Sequence, residues 1–151
     1  GWDGKDGLFT GDFEDQDKGR TTTESLLDEK ADIVMPVAGP VGLGSIEAVK
    51  AAGEGKASLI WVDTDGCTSI PDSCKYFLSS VQKKMDNAVF DTVQAVADDK
   101  FEGGKYVGTL ANDGVALAPF HEFEDKVPAE LSDKIEEYQA QIKDGTFKVG
   151  S

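Results

Sequence analysis

Two short apolar runs, separated by a glycine-rich loop and a helix-forming stretch, constrain the fold of this chain more than any other feature. The runs are Ile33–Val37 and Leu59–Val62. Between them, the glycine loop 39–44 leads into the helical pattern of Ser45–Ala52. Continuous apolarity over a strand's length is typical of a strand covered on both faces, as in a parallel sheet. Residues 31–63 therefore predict one βαβ unit.

The rest of the chain continues this alternation of strands and helices. A capping box formed by Thr21 and Glu24 predicts a helix over about Thr22–Lys30. Further helices are predicted at 86–98 and 128–144, and further strands at 76–78, 105–110, 115–118 and 147–149. We expect a single α/β lobe over 1–151. It should have three layers, a mostly parallel sheet with helices on both faces, and a partly irregular segment at 1–20.

Acidic residues dominate the charge. The 151 residues include 29 Asp and Glu against 15 Lys and Arg, which gives a net charge of −14. A nucleic-acid binder neutralises phosphates with Lys and Arg, so this balance argues against nucleic acid, and it argues equally against docking on anionic lipid. No apolar run approaches the ~18 residues of a membrane span. The chain starts at Gly1 rather than Met, so we expect any targeting segment to lie outside this sequence.

Two cysteines, Cys67 and Cys74, lie seven residues apart. A disulfide between them would close a small loop and would place the protein outside the reducing cytosol. A zinc site would need two more soft ligands, and only His121 is available. The spacing is not that of a Cys-x-x-Cys redox site, so the remaining alternative is two unpaired thiols.

Polar residues follow the two apolar runs, at the ends where parallel sheets bind their ligands. The glycine loop 39–44 begins a helix and offers backbone N–H groups to an oxygen-rich ligand, although the same glycines would allow close packing of helix on strand. Asp63 and Asp65 could accept hydrogen bonds from adjacent sugar hydroxyls. They also begin like a Ca²⁺ loop, but the later Glu is absent. The alternative for both is a solvated acidic loop.

Two further residues are candidates for the same site. Lys83, in the basic pair with Lys84, falls at another junction of strand and helix, where it could donate to a ligand oxygen or pair with Asp63. Phe13 lies in a segment rich in Gly and Asp and could stack on a ligand. The alternatives are a solvated lysine pair and an ordinary core aromatic. No nucleophile constellation, metal site or cofactor motif is predicted.

Five motifs follow one another along the chain at 32–44 (DIVMPVAGPVGLG), 61–65 (WVDTD), 78–89 (LSSVQKKMDNAV), 101–110 (FEGGKYVGTL) and 114–121 (GVALAPFH). Together they resemble the basic membrane protein family, and the likeness covers nearly all of residues 7–149. The segment 11–15 with Gly19 is also similar to that family. Its members are lipid-anchored substrate-binding proteins of ABC transporters with the type I periplasmic-binding fold.

The resemblance implies both an architecture and a function. Family members have about twice this length, in two lobes around a ligand cleft, and this chain is similar to the later lobe. Characterised members bind purine nucleosides, so the implied partners are a nucleoside and the ABC permease subunits. The implied location is extracytoplasmic, at the cell surface or in the periplasm, with attachment by an N-terminal lipid anchor absent from this chain.

The resemblance also assigns roles to individual residues. The family's cleft aspartate matches Asp63, and its lysine at the junction of strand and helix matches Lys83. The backbone of the family's glycine loop matches Gly39 and Gly42. The family's aromatic near the cleft matches Phe13. Aromatic groups hold the base in that family, and polar groups of this lobe hold the ribose hydroxyls.

Three departures from the family pattern bear on the ligand. Met35 stands where the family often has an aromatic, Pro40 replaces a loop glycine and removes an N–H donor, and the cysteine loop adds residues between Asp63 and Lys83. The sequence predicts a non-catalytic substrate-binding lobe. The alternatives are a sensor or scaffold domain whose sugar site has decayed, and a small α/β enzyme that uses strand-end carboxylates.

Overall fold

The computed structural model describes residues 7–37 and 39–149. Its sheet has four strands in the order β1-β2-β3-β4, where β1, β2 and β3 are parallel and β4 is antiparallel to β3. The strands are β1 Ile33–Val34, β2 Ser58–Asp63, β3 Phe77–Lys83 and β4 Val115–Leu117. The helices are α1 Gln16–Asp28, α2 Gly42–Ala52, α3 Gly66–Ser69, α4 Met85–Ala97 and α5 Ala129–Asp144, with 3-10 turns at Pro71–Tyr76 and His121–Lys126. The predicted mostly parallel α/β lobe is confirmed.

The core lies on one face of this sheet. Leu59 of β2 and Val49 of α2 are completely buried, and Phe77 of β3 packs with Trp61 at 5.4 Å between ring centroids. Alternate residues of a strand point to opposite faces, so Leu59 and Trp61 both face this core. Burial of these large side chains supplies the main driving force for forming the sheet.

The first strand is shorter than the sequence predicts. The run Ile33–Val37 was predicted as one strand, but only Ile33–Val34 pairs with β2. Pro36 has no N–H to donate to the ladder, which explains why pairing stops before it. Met35 and Val37 are exposed.

The first helix begins six residues earlier than predicted. Asp15 is its N-cap, and its carboxylate accepts hydrogen bonds from the N–H groups of Asp17 and Lys18. The predicted capping box at Thr21 and Glu24 is therefore wrong, because the carboxylate of Asp15 caps the helix upstream of it. The last part of the segment predicted as irregular, 16–20, is helical, and residues 1–6 lie outside the described chain.

Helices α1 and α2 cross at very short range. A Cβ built on Gly44 would lie 1.9 Å from the carbonyl oxygen of Gln16, and one built on Gly19 would lie 2.0 Å from the carbonyl oxygen of Val41. Beside this crossing, Thr23 donates a buried 2.8 Å hydrogen bond to Ser45. Two glycines and one buried hydroxyl pair thus set the distance between the helices.

Two predicted strands are not formed, at 105–110 and 147–149. Asn112 accepts a hydrogen bond from the N–H of Thr109 and donates one to the carbonyl of Val107, which closes a turn in place of a ladder. Phe147 donates its N–H to Gln141 and packs on Tyr138, so the last residues fold back on α5. Local side-chain contacts replace sheet pairing in both segments.

Helix α4 matches its predicted range closely, but its apolar stripe is exposed. No residue of α4 is buried among the parts of the chain described, and its apolar side chains are exposed: Met85, Val89, Phe90, Val93 and Val96. No helix in 7–37 or 39–149 combines the length and apolarity needed to cross a membrane. Helix α4 is therefore an amphipathic helix whose apolar face contacts solvent in this chain.

The helix crossing yields a first prediction, for Gly44→Ala. Alanine normally stabilises a helix relative to glycine by about 1 kcal/mol, but here its methyl group would overlap Gln16. We expect the free energy of unfolding to fall by about 1–3 kcal/mol, measured by denaturant titration. Gly103→Ala is the control, since no atom lies within 4 Å of its added Cβ. A more stable Gly44→Ala protein would contradict the tight crossing.

Candidate functional site

An ion pair marks the carboxyl ends of the two central strands. Asp63 ends β2 and Lys83 ends β3, and the Lys83 ammonium lies 2.7 Å from Asp63 Oδ1. The side chains are 46% and 68% exposed, so the pair contributes little to stability. Asp63 has a φ of 71°, which turns the chain sharply at the strand end. A ligand oxygen can therefore replace either partner of this ion pair.

An open groove of about 440 Å³ surrounds this pair. Most of the residues that line it are polar or charged: Asp63, Thr64, Asp65, Thr68, Ser69, Gln82, Lys83, Lys84, Met85 and Asp86. Sequence reasoning missed Thr64, Thr68, Ser69, Gln82 and Asp86. Their positions, in the segment that follows β2 and at the junction of β3 with α4, were the available signal. Such a surface suits a small molecule rich in hydroxyl groups.

The glycine loop borders a second depression on the same rim, which is the edge formed by the carboxyl ends of the strands. This depression, about 270 Å³, has Gly39 and Pro40 on one side and shares Asp63, Thr64 and Ser69 with the first groove. Gly39 is exposed, whereas Gly42 is buried and donates its N–H to the carbonyl of Gly39 at 3.0 Å. Of the two predicted loop glycines, Gly39 is the one at the surface.

Phe13 is held at this loop through its backbone. Its carbonyl accepts a 2.9 Å hydrogen bond from the N–H of Val41, and its ring is 71% exposed. Asp12 shapes the preceding turn, because its carboxylate accepts the N–H groups of Asp15 and Glu14. These backbone hydrogen bonds, that of Asp15 first, lower the pKa of Asp12. An exposed aromatic ring is thus carried by the segment next to the glycine loop.

Asp65 differs from Asp63 in its contacts. Its Oδ1 accepts the N–H of Cys67, which caps α3, and its Oδ2 lies 2.8 Å from Nε2 of His121. The Asp65 side chain is only 14% exposed. Both of its oxygens therefore have partners within the chain. Among the ion pairs of the described residues, Asp63 has one partner, the exposed Lys83. The contact with His121, 56 residues away, could not be read from the sequence.

The predicted disulfide is confirmed between Cys67 and Cys74. It joins α3 to the 3-10 turn that leads into β3. Gly66, at the start of α3, donates its N–H to the buried hydroxyl of Ser80 and leaves no room for a Cβ against the ring of Phe77. The loop that carries Thr68 and Ser69 into the groove is therefore fixed at both ends.

Solved structures define the class of this fold. A crystal structure of ABC transporter system solute-binding proteins from Aeropyrum pernix superposes with a TM-score of 0.80 over 95% of this chain and 46% of that chain, at 23% identity. A solute-binding protein from Conexibacter woesei gives 0.72 at 19% identity. The fold is that of an ABC transporter solute-binding protein.

Sequence comparisons define the family. The family model described as ABC transporter substrate-binding protein PnrA-like matches residues 8–150. The ABC transporter nucleoside-binding protein BmpA of Lactococcus lactis is 30% identical over 95% of this chain and 43% of its own length. Basic membrane protein B of Borreliella burgdorferi is 34% identical over 77% of this chain and 34% of its own length.

The chain therefore belongs to the PnrA-like family of ABC transporter substrate-binding proteins. It spans less than half the length of the curated relatives it matches. Substrate-binding proteins of this kind work outside the cytoplasm, which confirms the extracytoplasmic location expected from the sequence. An oxidising compartment also agrees with the disulfide.

The disulfide yields a second prediction. Reduction with a phosphine should lower the free energy of unfolding by about 2–3 kcal/mol, because it frees a loop of eight residues in the unfolded chain. The comparison of denaturant midpoints with and without the phosphine measures this effect. Cys67→Ser with Cys74→Ser should reproduce it. An unchanged midpoint would mean that the loop is held by its other contacts alone.

Proposed function

We propose that this chain is the second lobe of a two-lobed substrate-binding protein of an ABC importer. In the whole protein, an interlobe cleft binds a purine nucleoside or a similar small molecule that contains a sugar. Closure of the two lobes around the ligand presents a closed form to the permease subunits. An N-terminal lipid anchor holds the protein at the membrane, as the word lipoprotein in the names of two Pyrococcus relatives suggests.

The Asp63–Lys83 pair is the observation that carries this proposal. A carboxylate can accept two hydrogen bonds from adjacent ribose hydroxyls, while an ammonium donates to ribose oxygens. The hydroxyls of Thr64, Thr68 and Ser69 extend the same polar surface. At the second depression, Gly39 lets the backbone approach a ligand closely, and Phe13 offers a ring for stacking on a base.

The open form of the groove supports binding rather than catalysis. An enzyme would need an enclosed pocket in which carboxylates are shielded from water. Asp63 instead lies on an exposed rim beside Lys83, and the groove opens to one side. A second lobe would close over it. The role we propose is therefore ligand capture without chemistry.

The exposed face of α4 supports the presence of that second lobe. Val89, Phe90, Val93 and Val96 are each more than half exposed. A contiguous apolar face of this kind marks a contact surface. Helix α4 follows directly after Lys83, so its apolar face begins at the border of the groove. The occupant we propose is the first lobe of the same polypeptide, which agrees with relatives of more than twice this length.

Calorimetry of the full-length protein with a panel of nucleosides tests the ligand. We expect Asp63→Asn and Lys83→Gln to weaken binding about 10- to 100-fold, because each removes a charge-assisted hydrogen bond. Asparagine tolerates the left-handed backbone of Asp63, so the first change leaves the strand end intact. The isolated chain should bind weakly or not at all, because it supplies one side of the cleft.

A matched control is the exposed ion pair of Lys75 and Glu54, 3.0 Å apart and outside the groove. Glu54→Gln and Lys75→Gln should leave the affinity unchanged. No heat with any nucleoside would rule out that ligand class and would favour the sensor or scaffold alternative, for which Met35 and Pro40 are the supporting departures. Unchanged affinity in Asp63→Asn would rule out the rim as the site.

Stability measurements test whether the first lobe covers the apolar face of α4. In the full-length protein, Val93→Glu should lower the thermal midpoint by several degrees, because it buries a charge against the first lobe. In the isolated chain, where Val93 is 63% exposed, the same change should have little effect. Asp91→Ala on the same helix is the control. Equal effects in both proteins would contradict the proposed packing.

A further inference from the structure

The cysteine loop and the single histidine form a cluster of which only Asp65 also lines the groove. One donor atom from each of Asp65, Cys67 and His121 lies within 4.8 Å of the others. Cys74 is bonded to Cys67, so its sulfur adjoins the same cluster. Two sulfurs, one imidazole nitrogen and one carboxylate oxygen therefore converge at the start of α3. Each is a donor type that Zn²⁺ accepts in proteins.

We propose that the reduced form of this chain binds one Zn²⁺ through Cys67, Cys74, His121 and Asp65. Zinc in structural sites takes four such ligands in a tetrahedron, with the thiolates as the strongest donors. In the disulfide form the sulfurs are bonded to each other and are poor ligands, which leaves only the histidine and the aspartate. The site therefore belongs to the dithiol state alone.

The contact between His121 and Asp65 already has nearly the spacing of two ligands on one metal ion. Their facing atoms, Nε2 and Oδ2, are 2.8 Å apart with a proton between them. Two ligands at about 2.0 Å in a tetrahedron lie about 3.3 Å apart, so Zn²⁺ can replace that proton after a separation of about 0.5 Å. Two thiolates on the same ion lie about 3.8 Å apart, a distance that the sulfurs can adopt once their bond is broken.

Two features hold the ligands in place. Asp65 keeps its second oxygen on the N–H of Cys67, so its Oδ2 is oriented toward His121 and the loop. Outer hydrogen bonds of this kind orient metal ligands. His121 has a φ of 47°, a backbone conformation that costs energy for a residue other than glycine and that brings its ring to Asp65. The backbone thus positions the histidine before any metal binds.

The exchange between the two states balances in protons and electrons. A dithiol reductant transfers two electrons and two protons to the disulfide, becomes a disulfide itself, and leaves Cys67 and Cys74 as thiols. Binding of Zn²⁺ then releases both thiol protons and any proton held between His121 and Asp65. Reoxidation by a disulfide partner forms the bond between Cys67 and Cys74 again and expels the metal.

Cobalt titration of this chain tests the proposal. The chain is reduced with a phosphine, desalted without oxygen and titrated with Co²⁺, which reports thiolate ligation and tetrahedral geometry in its absorption spectrum. We expect one Co²⁺ per chain, a sulfur-to-metal charge-transfer band and displacement by Zn²⁺. The untreated disulfide form should not give this band. Identical spectra for the two forms, or no binding by the reduced form, would overturn the proposal.

Single variants separate this site from adventitious binding to an acidic chain. His121→Ala and Asp65→Asn should each weaken Co²⁺ binding at least tenfold. Asparagine still caps α3, so the second change preserves the local fold. Asp72→Asn, an exposed acid in the same loop, is the control and should bind as the parent does. Unchanged affinity in His121→Ala would overturn the assignment.

The unfolding midpoint supplies a second readout. Zn²⁺ should raise the midpoint of the reduced chain, because it binds only the folded form, and should leave the midpoint of the disulfide form unchanged. If reduction itself unfolds the loop, Zn²⁺ should restore the lost structure in the parent but not in His121→Ala. Equal responses in the two proteins would contradict the site.

Discussion

The parallel pairing of β2 with β3 is the constraint on which the rest of the structure depends. Leu59 opposite Phe77 anchors the pairing in the core, and both side chains are almost completely buried. A register shift follows at once, since Ile60 pairs with Ser79 and one residue of β3 is skipped. Without that shift, Asp63 would face Val81; with it, Asp63 faces Gln82 and lies next to Lys83. An irregularity in the sheet thus sets the ion pair of the candidate site.

Buried hydroxyls then attach the surrounding loops to this pair of strands. Ser80 accepts the N–H of Gly66 at the start of α3, and Ser79 donates to the carbonyl of Ala118 after β4. In a low-dielectric interior such bonds hold a loop in one position, because breaking one leaves a buried polar group unpaired. The loop beside the groove and the segment that carries His121 are therefore both fixed to β3. This common support explains how residues from distant parts of the chain meet at one place.

The first lobe that we propose would account for the surfaces that this chain leaves exposed. The groove at the strand ends opens to one side, and the apolar face of α4 contacts solvent next to it. An exposed apolar face of this kind marks a contact surface. The two segments that fail to form strands, 105–110 and 147–149, lie among the same exposed parts. Their apolar residues are present in the sequence, but within 7–37 and 39–149 neither segment pairs with a strand of the sheet.

The sequence alone predicted the βαβ unit, the end of α2, the ranges of β2 and α4 to within one residue, and the family, and it favoured the pairing of Cys67 with Cys74. These follow from local periodicity, from spacing and from motifs of consecutive residues, which need no knowledge of distant contacts. It also put Asp63 and Lys83 at one edge, since adjacent parallel strands end together. The start of α1 was misjudged because several residues compete as caps and only packing against α2 selects Asp15.

Only the tertiary structure decided the separate roles of Asp63 and Asp65 and the neighbours of His121. The two aspartates are chemically identical and two residues apart in the sequence. They differ because one lies on the exposed rim, whereas the other contacts a histidine 56 residues away. The same holds for the exposure of α4, whose periodicity predicts an apolar face but not what covers it. Contacts between residues distant in sequence depend on register and crossing geometry, and no local pattern encodes these.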